Sequence, residues 1–425
     1  MHDDATVRRA TRHRKETRRP HHDPFDDRLA AVLKIFTFRH LLLSIFYGRN
    51  ALLMNEQRLF DLFCNLCLIN APALQEREVV EWGKAYLERI GLEVWEDDAG
   101  SKIGGNANNV IAKLPGNQTG APAIFLSAHW DTVEPTAGLE IEERDGVYYS
   151  KSDTILGADD KAGMAPAIEA VHSILESGEP HGDVYLVFCV AEEIGLKGAF
   201  ACEIQDLGVD FGYVFDTGPP VGTFVTKVGT HDRLNARVIG RPAHAGKHPE
   251  EGINAIQAAA KGLAEMRLGR IDEETTANAG LIHGGTGVNV VPAECTVRCE
   301  ARSLSNEKLD AQISHMRECF EKGAAELGAR VEFEYVRAYE GYHIPETEPV
   351  VKLAVEAAKK LGYSGELRWT LGGSDANAFN AKGVPTIVCG TGMKEIHTHD
   401  EHVSKEDLVG LTRLAIELIR SAANA

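Results

Sequence analysis

Three apolar runs constrain this chain more than anything else in it: "AIFLSAH" (123–129), "DVYLVFCVA" (183–191) and "FGYVFDT" (211–217). They are continuous rather than alternating, and helical patterns such as "AGMAPAIEAVHSIL" lie between them. Continuous apolar strands have to be covered on both faces, which predicts an α/β fold with a largely parallel sheet between helices. Each run also ends in acids or a histidine: His129 and Asp131, Glu192 and Glu193, Asp216. Open α/β sheets build their sites at strand ends, so the feature that dictates the fold also points to the chemistry.

At 425 residues the chain is too long for one ordinary core, and two domains are expected. The pattern changes after about Thr226. "HDRLNARVIG" alternates like a half-exposed strand, and the order that follows is β-α-β-β-α-β. That order predicts an inserted ferredoxin-like α+β lid. The expected layout is a catalytic α/β domain over 54–226, a lid and dimerisation domain over 227–340, and the rest of the catalytic domain over 341–425. Residues 1–53 are basic at first, without hydrophobic period, and read as disordered or as a spurious N-terminal extension. Their apolar part is interrupted by Lys34, Arg39 and His40, too short and charged for a membrane span. A net charge of -18 argues against a nucleic-acid partner. Eight scattered cysteines in a chain this large read as reduced, buried thiols of a cytoplasmic protein. Cys64 and Cys67 form a C-x-x-C on a helical pattern, with no second pair nearby.

The acids need a reason. Asp159 and Asp160, in "GADDKAG", precede an apolar helix, and a helix N-cap accounts for one of them but not both. Glu192 and Glu193 follow a buried strand directly and would repel each other unless a cation or a shared proton relieved them. One carboxylate could then bind metal while its neighbour moves protons. A late cluster, "IHTHDEHV", adds His397, His399 and His402. Imidazole plus carboxylate suits zinc, with manganese or cobalt as substitutes. A single catalytic zinc takes about three protein ligands, so this many donors suggest two ions per subunit with one bridging carboxylate. Such a centre lowers the pKa of a bridging water and polarises a carbonyl, which is chemistry for hydrolysis.

The ordered set H-x-D, G-A-D-D-K-A-G, E-E, D-x-G and late H-T-x-D-E resembles the dinuclear zinc exopeptidases and deacylases. That family includes peptidase T, glutamate carboxypeptidase, aminoacylase and succinyl-diaminopimelate desuccinylase. The resemblance runs from about Asn55 to the C-terminus and includes the inserted lid. "GADDKAG", "EEIGLKGA" and "GGSDAN" are closest to the peptidase T branch, whose members remove the N-terminal residue of tripeptides. It implies that His129, Asp159 and Asp216 hold one zinc, that Asp159, Glu193 and His397 hold the other, and that the Asp159–Asp160 peptide is cis. Glu192 is then the general base that activates the metal-bridging water, and Asp131 orients His129. Among the late histidines, the family spacing to Glu401 selects His397, with His399 or His402 as fallback. In the lid, the resemblance implies that His244 in "GRPAHAG" stabilises the oxyanion, often from a partner subunit of a homodimer. It also implies substrate binding by Asn289, Arg302 and the Gly373–Ser374 turn. The expected substrate is a short peptide; an N-acyl amino acid deacylase or a carboxypeptidase on the same scaffold is the alternative.

Overall fold

The computed structural model describes residues 54–218 and 220–425. The segment 1–53, expected to be disordered or spurious, lies outside the described residues. In chain order the strands are β1 Glu93–Glu96, β2 Val110–Leu114, β3 Ile124–His129, β4 Ile141–Arg144, β5 Val147–Ser150, β6 Val184–Cys189, β7 Phe211–Val214, β8 Thr223–Val228, β9 Thr230–Ile239, β10 Gly269–Asp272, β11 Thr275–Gly284, β12 Glu294–Ser303, β13 Arg330–Tyr339, β14 Tyr342–His343, β15 Glu366–Thr370, β16 Thr386–Cys389 and β17 His402–Ser404.

The main sheet is ordered β1-β2-β6-β3-β7-β16-β8-β14, with β15 also paired to β8. Its centre, β6-β3-β7-β16, is parallel, as continuous apolar runs require. Every residue of these four strands is buried. The flanks β1-β2, β2-β6, β16-β8 and β8-β14 are antiparallel, so the sheet is mixed overall. The helix Glu56–Cys67 buries Leu59, Leu62, Phe63 and Leu66, the stripe that three-to-four spacing predicts. Asn55 caps it by accepting from the Arg58 amide at 3.1 Å.

The second sheet, β10-β11-β12-β9-β13, is antiparallel throughout. The helices Ala255–Glu265 and Asn306–Glu326 cover one face, giving the β-α-β-β-α-β lid with β10 added at the edge. On β9, residues from Asp232 to Ile239 alternate between buried and more exposed positions. The chain leaves the main sheet at Gly229, after Val228 ends β8, and returns at Gly341, before β14 pairs with β8 again. A third, three-stranded sheet, β17-β5-β4, flanks the main one. No helix among the described residues is long and apolar enough to cross a membrane.

Candidate metal centre

Because β3, β6 and β7 are parallel, their carboxyl ends open at one edge of the sheet. His129 is the last residue of β3. Glu192 and Glu193 follow β6, and Asp216 follows β7. Asp159 arrives from the start of the helix Ala158–Ser177, where Asp159 and Asp160 have non-helical dihedrals and the peptide between them is cis. Neither aspartate acts as the cap. Asp159 instead faces two histidines: Oδ1 lies 3.2 Å from His129 Nε2, and Oδ2 lies 3.2 Å from His397 Nε2. His397 Nε2 is also 2.9 Å from Glu193 Oε1, and Asp216 Oδ1 is 3.9 Å from His129 Nε2.

Of the late histidines, His397 alone reaches this cluster among the described contacts. His399 faces the exposed Asp153 at 3.3 Å, and His402 Nδ1 lies 2.8 Å from the Asp400 carbonyl. The backbone carries local cost here. His397 and Ala191 adopt left-handed conformations, φ 63° and 54°. Non-glycine residues there cost on the order of 1–3 kcal/mol each, a cost that functional sites tend to carry.

Asp131 lies beside His129, but the contacts divide its work. Its carbonyl oxygen is 2.9 Å from His129 Nδ1, nearer than its carboxylate at 3.5 Å. The carboxylate accepts the Glu192 and Glu193 amides at 2.9 and 3.1 Å. One residue therefore holds the histidine and places both glutamates.

The electrostatics are those of a site short of positive charge. Burial, then the neighbouring Asp216 carboxylate, pushes the Glu192 carboxyl well above the usual range. Burial, then Asp159, does the same to Asp216. Burial opposes a charged His129, yet Asp131 and Asp159 raise its pKa well above the ordinary imidazole value. Hydrogen bonds to Asp159 and Glu193 push His397 up to about 10. Carboxylates crowded this closely favour a cation among them. Ligand atoms of His129, Asp159 and Glu193 lie within 4.8 Å of one another, and so do those of His129, Asp160 and Asp216. The residues present suit nitrogen- and oxygen-ligated divalent metal.

A cavity of about 410 Å³ opens on this edge. Asp159, Glu192, Glu193, Asp216 and His397 line it, together with Arg302, Gly373 and Ser374. Arg302 Nη1 donates to the Leu371 carbonyl at 3.1 Å and Nη2 to Glu300 at 3.0 Å, while its buried Nε has no partner among the described residues. The Ser374 hydroxyl is buried and likewise finds no partner among the described residues. Gly373 has to be glycine, since a Cβ there would collide with the Tyr339 ring. His244 and Asn289 lie elsewhere. They occupy exposed lid loops joined by the Ala245 amide donating to the Asn289 carbonyl at 3.0 Å, and neither lines the cavity.

Three further buried groups hold the site from behind. Glu401, fully buried, accepts the Gly157 amide at 2.7 Å and the Asp159 amide at 3.0 Å. It thus fastens the Asp159 turn to the loop that carries His397. Lys161 is buried and donates to the Trp130 carbonyl, placing an ammonium beneath the acids. Asp375 is buried with both oxygens unpartnered among the described residues, and burial raises it to about 7. In the sequence Glu401 serves only as the landmark that selects His397 within "HTHDE", and Lys161 stands unremarked within "GADDKAG".

A family model described as Peptidase family M20/M25/M40 matches residues 125–421. The uncharacterized protein YqjE of Bacillus subtilis (strain 168) is 38% identical over 371 residues, covering 87% of this chain and all of that protein. The solved structure of a tripeptidase from Staphylococcus aureus subsp. aureus Mu50 is 38% identical, with a TM-score of 0.83 over 88% of this chain and 100% of that one. That of aminopeptidase PepT from Bacillus cereus ATCC 10987 is also 38% identical, with a TM-score of 0.79 over 87% of this chain and 100% of that one.

Proposed function

The chain belongs to peptidase family M20/M25/M40 and is a metallopeptidase of it; we propose that it is a di-zinc aminopeptidase removing the N-terminal residue of tripeptides and other short peptides. The observation that carries this is Asp159, whose two oxygens each face a different histidine at 3.2 Å. A carboxylate so placed suits a bridge between two cations. His129, Asp159 and Asp216 would hold one ion, and Asp159, Glu193 and His397 the other; manganese or cobalt would fit the same donors. When bound, the pair supplies an acidified water and a polarised scissile carbonyl. Glu192, whose carboxyl burial and the Asp216 carboxylate push up, takes a proton from the attacking water and returns it to the leaving amine.

Among the described residues, Arg302 Nε and the Ser374 hydroxyl are buried donors without partners at the cavity wall, which supports their binding the peptide's terminal carboxylate. His244 and Asn289 would stabilise the oxyanion and substrate from a lid that closes or from a partner's lid. A homodimer is supported by β11. Beyond Ala277 it pairs with β12 alone among the described residues, and Leu281 and Ile282 on it are 51% and 52% exposed. The eight free thiols, seven of them buried, support a reducing, cytoplasmic setting.

The aminopeptidase reading is favoured over a deacylase by the two solved relatives named tripeptidase and aminopeptidase. Ala-Ala-Ala, N-acetyl-Ala-Ala-Ala and acyl amino acids, assayed before and after chelation and zinc repletion, test it. Turnover of the free tripeptide should vanish on chelation and return with zinc. Cleavage confined to the blocked substrates would overturn it.

A further inference from the structure

The apolar wall of the cavity lies on a traceable path. Val388 on β16 pairs with Val214, two residues before Asp216, and with Val225 on its other side. At Thr226 the register against β15 slips by one residue: Arg368 faces Val225, and Trp369 faces Lys227. This irregularity lets both Val225 and Val228 line the cavity although three positions separate them. Gly229, next to Val228, abuts the backbone of Ser303, next to Arg302. The three valines therefore run from the metal centre toward Arg302, two strands across.

Two inter-strand steps cover about 9–10 Å. Two extended peptide residues cover about 7 Å. A tripeptide whose first carbonyl sits at the metal centre would thus carry its carboxylate about 7 Å along that path toward the Arg302 side chain, laying its middle residue along the valines. No titratable side chain interrupts that stretch of the lining between Asp216 and Arg302. Resting on the aminopeptidase reading, we propose that Val225, Val228 and Val388 form the subsite for the residue after the scissile bond and select peptides with an aliphatic side chain there.

The test is a panel of Ala-X-Ala peptides, with X as Leu, Val, Gly, Asp or Lys, on the zinc-loaded protein. Leu and Val should exceed Asp and Lys in kcat/KM by on the order of tenfold or more. Val228→Thr, close in shape but polar, should shrink that ratio severalfold. If it fails to fold, as a thermal melt would reveal, the wild-type panel still decides. Calorimetric binding of the same peptides to Glu192→Gln keeps the inference separate from the reading beneath it. An aliphatic preference in binding without hydrolysis of any tripeptide by the wild type would sink the aminopeptidase reading and leave the subsite standing. Equal affinities and rates for Leu and Asp would overturn the subsite.

Discussion

The two sheets solve burial in opposite ways. In the main sheet, β3, β6, β7 and β16 are buried along their whole length. In the lid, β9 alternates, and on β11 every residue from Leu281 to Gly284 is exposed. A strand covered on both faces meets water only at its end, so polar residues needed for chemistry collect there. A sheet with one open face meets water along its surface and edge, which suits contact. The lid accordingly gives the cavity one residue, Arg302, close to the end of β12. The lid core is also its own, with Leu234, Met316 and Phe320 packed in a cluster drawn from the lid alone.

That division can be broken at several points. Glu192→Gln should cut kcat by about 10²–10⁴ while metal content and peptide binding persist, as metal analysis and calorimetry would record. A smaller loss would place the base elsewhere than at the strand ends. Phe320→Ala, in the lid core, should cost about 3–5 kcal/mol of stability in denaturant melts without changing metal stoichiometry. Loss of metal in that variant would show that the sheets do not behave separately. Glu401→Gln replaces one of two acceptors with a donor facing a backbone amide, so it should cost about 1–3 kcal/mol and loosen metal binding. Unaltered metal affinity would reduce Glu401 to scaffolding. Leu281→Lys with Ile282→Lys should leave melting within about 0.5 kcal/mol. The same pair should shift the sedimentation of the protein toward monomer; unchanged sedimentation would remove β11 from the interface.

Much of the site could be read in advance, and particular residues show why. His129, Glu192, Glu193 and Asp216 follow apolar runs, and strand direction alone forces such ends together. Asp159 was visible because two acids exceed what a helix start needs. His397 could be separated from His399 only by resemblance, because two residues on one extended segment carry the same pattern. The double duty of Asp131 has no sequence signal, since its bonds are to amides 61 and 62 residues away that carry no side-chain signature. The bonds of Glu401 and Lys161 have no signature for the same reason: each grips backbone, and backbone looks alike at every position.

Periodicity, together with the acids at the ends of apolar runs, determined the parallel core, the inserted lid and the side chains that crowd one sheet edge. Those are local properties, carried by which residues face inward and by where each run stops. Tertiary structure alone decided that the flanking strands run antiparallel, that Glu401 ties two distant loops together and that three valines share one cavity with Asp216 and Arg302. Register between strands far apart in sequence follows from packing and turn geometry, which no single run of residues encodes.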